Sequence, residues 1–236
     1  MVDHTMRQYD TELDQIRTRV LQMGGYVEQQ VVLALDGLQD GDEQLIERVI
    51  ENDRQVNAYE VELDEACTQI IARRQPAAND LRSILSVFRV VTDLERIGDE
   101  AKKIAKVARK IHVTGEGLRP SVQTKHLGAM AVQALRKSLD AFARQDIDAA
   151  AEILKEDKDL DSEFKVMMRL LVTYMMEDPR TISRGIDMLF AAKAIERIGD
   201  HAKNVAENTI FLAHGKDVRH VGLEAVLREV GHDLPK

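Results

Sequence analysis

Apolar residues recur along this chain at spacings of three and four, and polar breaks interrupt them at Asp40-Gly41-Asp42, Gln75-Pro76, Thr114-Gly115-Glu116-Gly117, Gln145-Asp146 and Asp178-Pro179. That spacing lines up one face of an α-helix. It predicts helices near 5–39, 42–74, 77–112, 120–143, 146–177 and 179–214. Asp42 and Asp146 stand where a side-chain oxygen can cap free N–H groups, and Pro76 and Pro179 stand where a helix begins. Short turns force neighbouring helices to run antiparallel. The fold class predicted is all-α, two tandem three-helix bundles built from six long antiparallel helices. Gly115 to Gly117 form the one seam between halves. The expected division is a first bundle over 1–114, a linker over 115–119, a second bundle over 120–216 and a tail over 217–236.

The halves are copies. Shifting the first by 104 residues places Gly24 on Gly128, Asp36 on Asp140, Asp42 on Asp146, Asp53 on Asp157 and Asn57 on Asp161. In the third helix of each half the shift becomes 101, and Glu95-Arg96-Ile97-Gly98-Asp99 falls on Glu196-Arg197-Ile198-Gly199-Asp200. A five-residue identity at matching places marks an internal repeat.

At about 100° per residue, the apolar line Ile84, Phe88, Val91 continues through Glu95, Asp99 and Lys102. In the second copy Ile182, Ile186 and Leu189 lead into Lys193, Glu196, Asp200, Asn204 and Glu207. Core packing is expected to pass to another stripe, Ile97, Ala101, Ile104 and Ala108, or Ile195, Ala202, Val205 and Ala206. Asp53 and Asp99 each lie 23 residues from Pro76, and Asn57 and Glu95 each lie 19. Around Pro179 the separations are 22 and 21 for Asp157 and Asp200, and 18 and 17 for Asp161 and Glu196. The second helix of each half therefore carries oxygen donors level with those of the third. Gly24 and Gly128 reach the same level, where a missing side chain leaves room or lets the backbone approach. Carboxylates four apart repel by only about 0.2–0.5 kcal/mol, and Asp99 can meet Lys102 or Lys103 as Asp200 can meet Lys203. Oxygen-only donors on a helix suit hard divalent cations such as Mg, Mn or Fe(II). His201 can add a nitrogen.

Composition narrows the function. Aromatic residues make up 4% and charged residues 31% of the chain, a mix suited to helices rather than a sheet. A formal charge of −8 disfavours nucleic acid and anionic lipid. No apolar run spans a membrane, and Asp3, His4, Arg7 and Asp10 do not make a signal peptide. A cytoplasmic protein is expected. Cys67 is the sole cysteine, expected in the core, and the pairs Met167-Met168 and Met175-Met176 are read as core fillers. No phosphate-cradling GxxxxGK[ST] loop occurs, so no organic cofactor and no enzyme activity are expected.

Three stretches carry a family likeness: Arg74-Gln75-Pro76-Ala77 with Asp80-Leu81-Arg82; Asp93-Leu94-Glu95-Arg96-Ile97-Gly98-Asp99-Glu100-Ala101; and Glu196 through Glu207, continued by Gly215 and Val218-Arg219-His220. Here the sequence resembles the PhoU family, associated with the phosphate-specific transport system. The resemblance implies two three-helix bundles with metal clusters at E(D)xxxD motifs. On this chain the metal ligands it implies are Glu95, Asp99, Glu196 and Asp200; the level-matched Asp53, Asn57, Asp157 and Asp161, and Asn204, are further candidates. The metal is divalent or multinuclear, of Fe, Mn or Mg type. Asn204 fits the family's Asn four residues past the motif, whereas Lys103 departs from it and is expected to compete with a metal in the first half.

The resemblance also implies a negative regulator of the phosphate-starvation (Pho) response that restrains uptake, linking a PstB-type transporter ATPase to a PhoR-type sensor histidine kinase. The resulting expectation is a homodimeric adaptor that senses no phosphate by itself. Two rivals remain from the residues: a metal-independent acidic helical scaffold docking basic partners, and a di-iron carboxylate oxidase. The latter needs Glu-x-x-His pairs, and Gly98 and Gly199 stand where the histidines are required.

Overall fold

The structure, a computed structural model, describes residues 2–113 and 122–219. Its helices are α1 (Val2–Asp40), α2 (Glu43–Arg74), α3 (Ala78–Val113), α4 (Val122–Arg144), α5 (Ile147–Glu177) and α6 (Ile182–His214). The Gly115–Gly117 seam and the tail from His220 onward lie outside the described residues. The two aspartates do cap. Asp42 accepts from the N–H groups of Gln44 and Leu45 at 2.9 and 3.2 Å, and Asp146 accepts from Ala149 N–H at 3.0 Å. Each removes an orphan donor from a helix start, worth about 1 kcal/mol. The prolines differ. Pro179 opens a short 3-10 turn, Pro179–Thr181, ahead of α6, whereas Pro76 lies in the loop before Ala78. The α2 helix ends on Gln75 in a left-handed conformation.

Helices α1–α3 form one three-helix group and α4–α6 the other, and α3 packs along α6 while α1 meets α4. One continuous apolar core runs through both groups, so neither bundle buries its own faces unaided. The α1–α4 contact explains the repeated glycines. A Cβ on Gly24 would lie 2.5 Å from a Leu139 methyl, and one on Gly128 would lie 2.9 Å from a Leu35 methyl. Shifted by 104, Gly24 and Leu35 become Gly128 and Leu139. The glycines thus seat the other half's leucine and do not serve the acidic level.

The expected core stripes are buried, with Ile97, Ala101, Ile104 and Ala108 in α3 and Ile195, Ala202, Val205 and Ala206 in α6. Full burial of each isoleucine contributes about 1.5–3 kcal/mol. The companion apolar line holds in α3, where Ile84 and Val91 are buried, but fails in α6: Ile182 and Ile186 are 44% and 42% exposed. The shift of 101 gives the reason. The positions matching Ile84 and Val91 are Gly185 and Ala192, both buried, and Met175 fills the space a Gly185 side chain would take. Met167 is buried as expected, whereas Met176 is exposed. Among the described residues no helix is long and apolar enough to cross a membrane.

Candidate metal centre

The repeated Glu-Arg-Ile-Gly-Asp segment divides its labour by helical phase. Ile97 and Ile198 point into the core. Gly98 and Gly199 let α3 and α6 close on their neighbours, since an added Cβ would lie 3.0 Å from a Val56 methyl or 2.7 Å from a Leu160 methyl. With isoleucine and glycine fixed against packed helices, the glutamate and aspartate four apart must share the adjoining face.

In the second half that face meets α5. Asp161, Glu196 and Asp200 converge, each offering one carboxylate oxygen within 4.8 Å of the others. Glu196 is 8% exposed, and Lys193 is its ion-pair partner. Burial first, then the charges of Glu196 and Asp157, push the Asp200 carboxyl above its ordinary range, while Lys193 opposes the shift. Three oxygens with one cation among them leave negative charge uncompensated. The residues fit a hard divalent ion, which would supply the missing positive charge. The group offers no imidazole, so the histidine needed for the di-iron oxidase reading is missing here too.

The other level-matched residues of this half are turned elsewhere. Lys203 Nζ donates to Asp157 at 2.7 Å, and not to Asp200 as expected. Asn204 Nδ2 donates to Asp93 Oδ1 of the first half at 2.9 Å, and the same oxygen lies 2.9 Å from His201 Nδ1. His201 and Asn204 therefore join the halves and do not face the ligand set. Equal height along antiparallel helices selected the right neighbourhood, but rotation about each helix axis decided which oxygens meet.

The first half differs. Lys102 Nζ donates to Asp53 at 2.5 Å, the counterpart of Lys203 on Asp157. Arg96 lies 3.5 Å from Glu95 and 4.0 Å from Asp99. Asn57 is exposed. Lys103, expected to compete for the site, instead donates to the buried Glu100 at 2.9 Å, a carboxylate that also holds Arg197 of the second half at 2.8 Å. Arg96 and Lys102 are the cations among these acids. Burial and the charges of Asp99 and Glu60 raise the Glu95 carboxyl, and burial and Asp64 raise that of Glu60. Glu60 and Asp64 were missed by the height argument. They continue the helical spacing Asp53, Asn57, Glu60, Asp64, whereas the second copy has Phe164 and Met168 at the matching positions. Among the described residues the group of three or more converging ligands is Asp161, Glu196 and Asp200, so the acids of the two halves are not arranged alike.

Comparison with known proteins adds an independent line. The PhoU domain model matches twice, over residues 20–108 and 124–209, in register with the two three-helix groups. A phosphate-specific transport system accessory protein PhoU homolog of Pseudomonas aeruginosa is 47% identical over 230 residues, covering 98% of this chain and 95% of that protein. The phosphate-specific transport system accessory protein PhoU of Escherichia coli is 46% identical over 220 residues, covering 93% and 90%. The crystal structure of PhoU from Pseudomonas aeruginosa superposes with a TM-score of 0.85 at 48% identity, covering 88% of this chain and all 100% of that one. The phosphate transport system regulatory protein PhoU from Streptococcus pneumoniae superposes with a TM-score of 0.82 at 25% identity, covering 89% and 99%. With its doubled helical unit, its paired acidic motifs and this kinship along nearly its whole length, the chain belongs to the PhoU family.

Proposed function

We propose that this protein is a negative regulator of the phosphate-starvation response and a modulator of phosphate uptake. It acts as a non-enzymatic adaptor between the phosphate transporter's ATPase and a sensor histidine kinase, with a divalent cation held by Asp161, Glu196 and Asp200. The observation that carries the reading is the kinship along nearly the whole chain to proteins named as accessory to the phosphate-specific transport system. The chemistry of the described residues agrees. Cys67 is buried and its thiol is pushed up to about 12, which leaves it protonated and inert as a nucleophile. At the centre the cation offsets clustered carboxylates and ties α5 to α6, holding a face for a partner.

Co-purification tests the adaptor role. Tagged protein from phosphate-replete cells is expected to retain both the transporter ATPase and the kinase. Recovery of neither, from cells in which the tagged protein restores repression, contradicts the role. In the first half a second reading is favoured by the Arg96 and Lys102 contacts. There the acids are already partly neutralised and form a face that docks basic partners without a metal. Steep weakening of partner binding with salt, unaffected by chelators, is its signature.

A further inference from the structure

Between α3, α5 and α6 a cleft of about 890 Å³ opens, and Asp161 and Asp200 of the candidate metal centre form part of its lining. Its floor is α6, where Asp200, Asn204 and Asn208 follow one another a turn apart, so the acid end and the amide end stand about 12 Å apart. Arg89 and Arg219 also line the cleft. Both guanidinium groups face Asp217, which lies 2.5 Å from Arg219 and 3.5 Å from Arg89, and Arg219 also feels the charges of Glu207 and Asp93. Among the described residues Arg89 Nη1 donates no hydrogen bond, although it is the atom that faces Asp217, and its guanidinium lies 4.5 Å over the Phe211 ring. Asn208 is 2% exposed; its Nδ2 donates to the Asn204 carbonyl at 2.9 Å, and among the described residues its Oδ1 has no partner. A buried acceptor left unpaired costs about 1–3 kcal/mol.

The duplication supplies an internal control. Shifted by 101, Arg89 and Asp93 fall on Phe190 and Ala194, while Asn204 and Asn208 fall on Lys103 and Val107. The same helix crossing is thus built in the other half with a phenylalanine, an alanine and a valine at three of these positions. Packing α3 on α6 does not require the arginine, the aspartate or the buried asparagine.

We infer that this end of the cleft binds a phosphate group, carried by hydrogenphosphate or by a phosphorylated small molecule. Arg89 and Arg219 donate to its oxygens, one of them a fork with an unused N–H face. Asn208 Oδ1 accepts from the P–OH group, which a phosphate retains in part near neutral pH. Sulfate has no such proton and leaves that oxygen unpaired, so the site selects phosphate over sulfate. The inference rests on the metal reading only for the cation that offsets Asp161 and Asp200 at the far end; of the acids nearer the arginines, Asp93 is held by Asn204 and His201, and Glu207 faces Arg219. It departs from the expectation of an adaptor that senses no phosphate by itself.

Calorimetric titration of the full chain with orthophosphate, glycerol 3-phosphate and sulfate, with and without manganese, tests it. Orthophosphate or the monoester is expected to bind at least about tenfold more tightly than sulfate. The tighter of the two phosphates identifies the source, free or esterified. Arg89→Gln, which removes the cation, and Asn208→Asp, which sets a carboxylate against the anion, are each expected to weaken binding about tenfold or more. If Arg89→Gln fails to fold, Arg89→Lys keeps the charge, loses the fork and is expected to weaken binding as well. Arg89-dependent binding without manganese upholds the phosphate site even where the metal reading fails. The inference is overturned by absence of saturable phosphate binding in both conditions, by equal affinity for sulfate, or by folded variants that bind as the wild type does.

Discussion

Lys203 Nζ lies 2.7 Å from Asp157 Oδ2, and the matching pair in the other half, Lys102 and Asp53, stands at 2.5 Å. In both copies a lysine from the third helix pairs with the first acid of the second helix, whose charge still acts on the acidic motif. Asp157 and Asp53 are 10% and 6% exposed, so each is a buried charge that depends on its lysine. Lys203→Met is expected to destabilise the fold by about 1–3 kcal/mol, below the range for breaking a fully buried pair because Lys203 itself reaches solvent. Adding Asp157→Leu is expected to recover much of the loss. Denaturant unfolding of the single and double variants measures both. A Lys203→Met variant as stable as the wild type would show that the pair contributes nothing.

Close packing at the motif glycine gives a second expectation. Gly199→Val places branched carbon against Leu160, where even a Cβ would come within 2.7 Å of a methyl. Overpacking of this kind costs about 1–3 kcal/mol. Leu160→Ala alone also destabilises, by about 2–5 kcal/mol. Combined with Gly199→Val it should cost less than the two changes summed, because the new side chain enters the vacated space. Strict additivity in thermal melts would place the two residues apart.

The legibility of the fold and that of the site differ for one physical reason. Helix existence, antiparallel order and duplication are properties of periodicity, and periodicity is written in the sequence. Asp42 and Asp146 cap as their positions suggested, and Ile97 and Ile195 lie in the core. The acidic residues required more. Axial height brought Asp161 level with Glu196 correctly, yet it equally nominated Asp157, and the family pattern nominated Asn204; their side chains turn to Lys203 and Asp93. Which way a residue faces depends on how α3 and α6 rotate against each other, and that is set by the joint core. Exposed Ile182 and Ile186 failed for a related reason: their apolar line is real, but it lies one register away from the line that matches Ile84 and Val91.

Acidity supplies a third expectation. Burial raises the Asp200 carboxyl, and that of Glu95, above the ordinary range. A carboxylate whose folded pKa exceeds its unfolded value binds protons more tightly when folded. The metal-free protein therefore gains stability from these groups as pH falls through the folded pKa toward the unfolded one. Asp217, held down to about 2 chiefly by its hydrogen bond to Arg219, works in the opposite sense, but only at much lower pH. Melting temperatures of metal-free wild type and Asp200→Asn, followed as the pH falls from neutrality toward the ordinary carboxylate range, isolate the effect. The wild type should gain on the variant as pH falls. With manganese bound the trend should reverse, because proton and metal compete for the same oxygens. Parallel curves would refute the raised acidity.

The inequality of the two halves yields a fourth. Arg96 and Lys102 stand among the first-half acids, so removing Arg96 should relieve Glu95 and Asp99 of a cation and strengthen metal binding there. Arg96→Gln is expected to raise manganese affinity of the first half several-fold, read by titration in a Glu196→Gln/Asp200→Asn background. Unchanged affinity would mean that Arg96 does not govern that site.

The most direct measurement is metal content after loading with manganese and exhaustive dialysis, compared among wild type, Glu196→Gln/Asp200→Asn and Glu95→Gln/Asp99→Asn. The convergence of Asp161, Glu196 and Asp200 within 4.8 Å predicts that the second-half variant loses most of its bound metal while the first-half variant keeps it. Equal metal content in all three proteins, each still folded, would contradict the assignment.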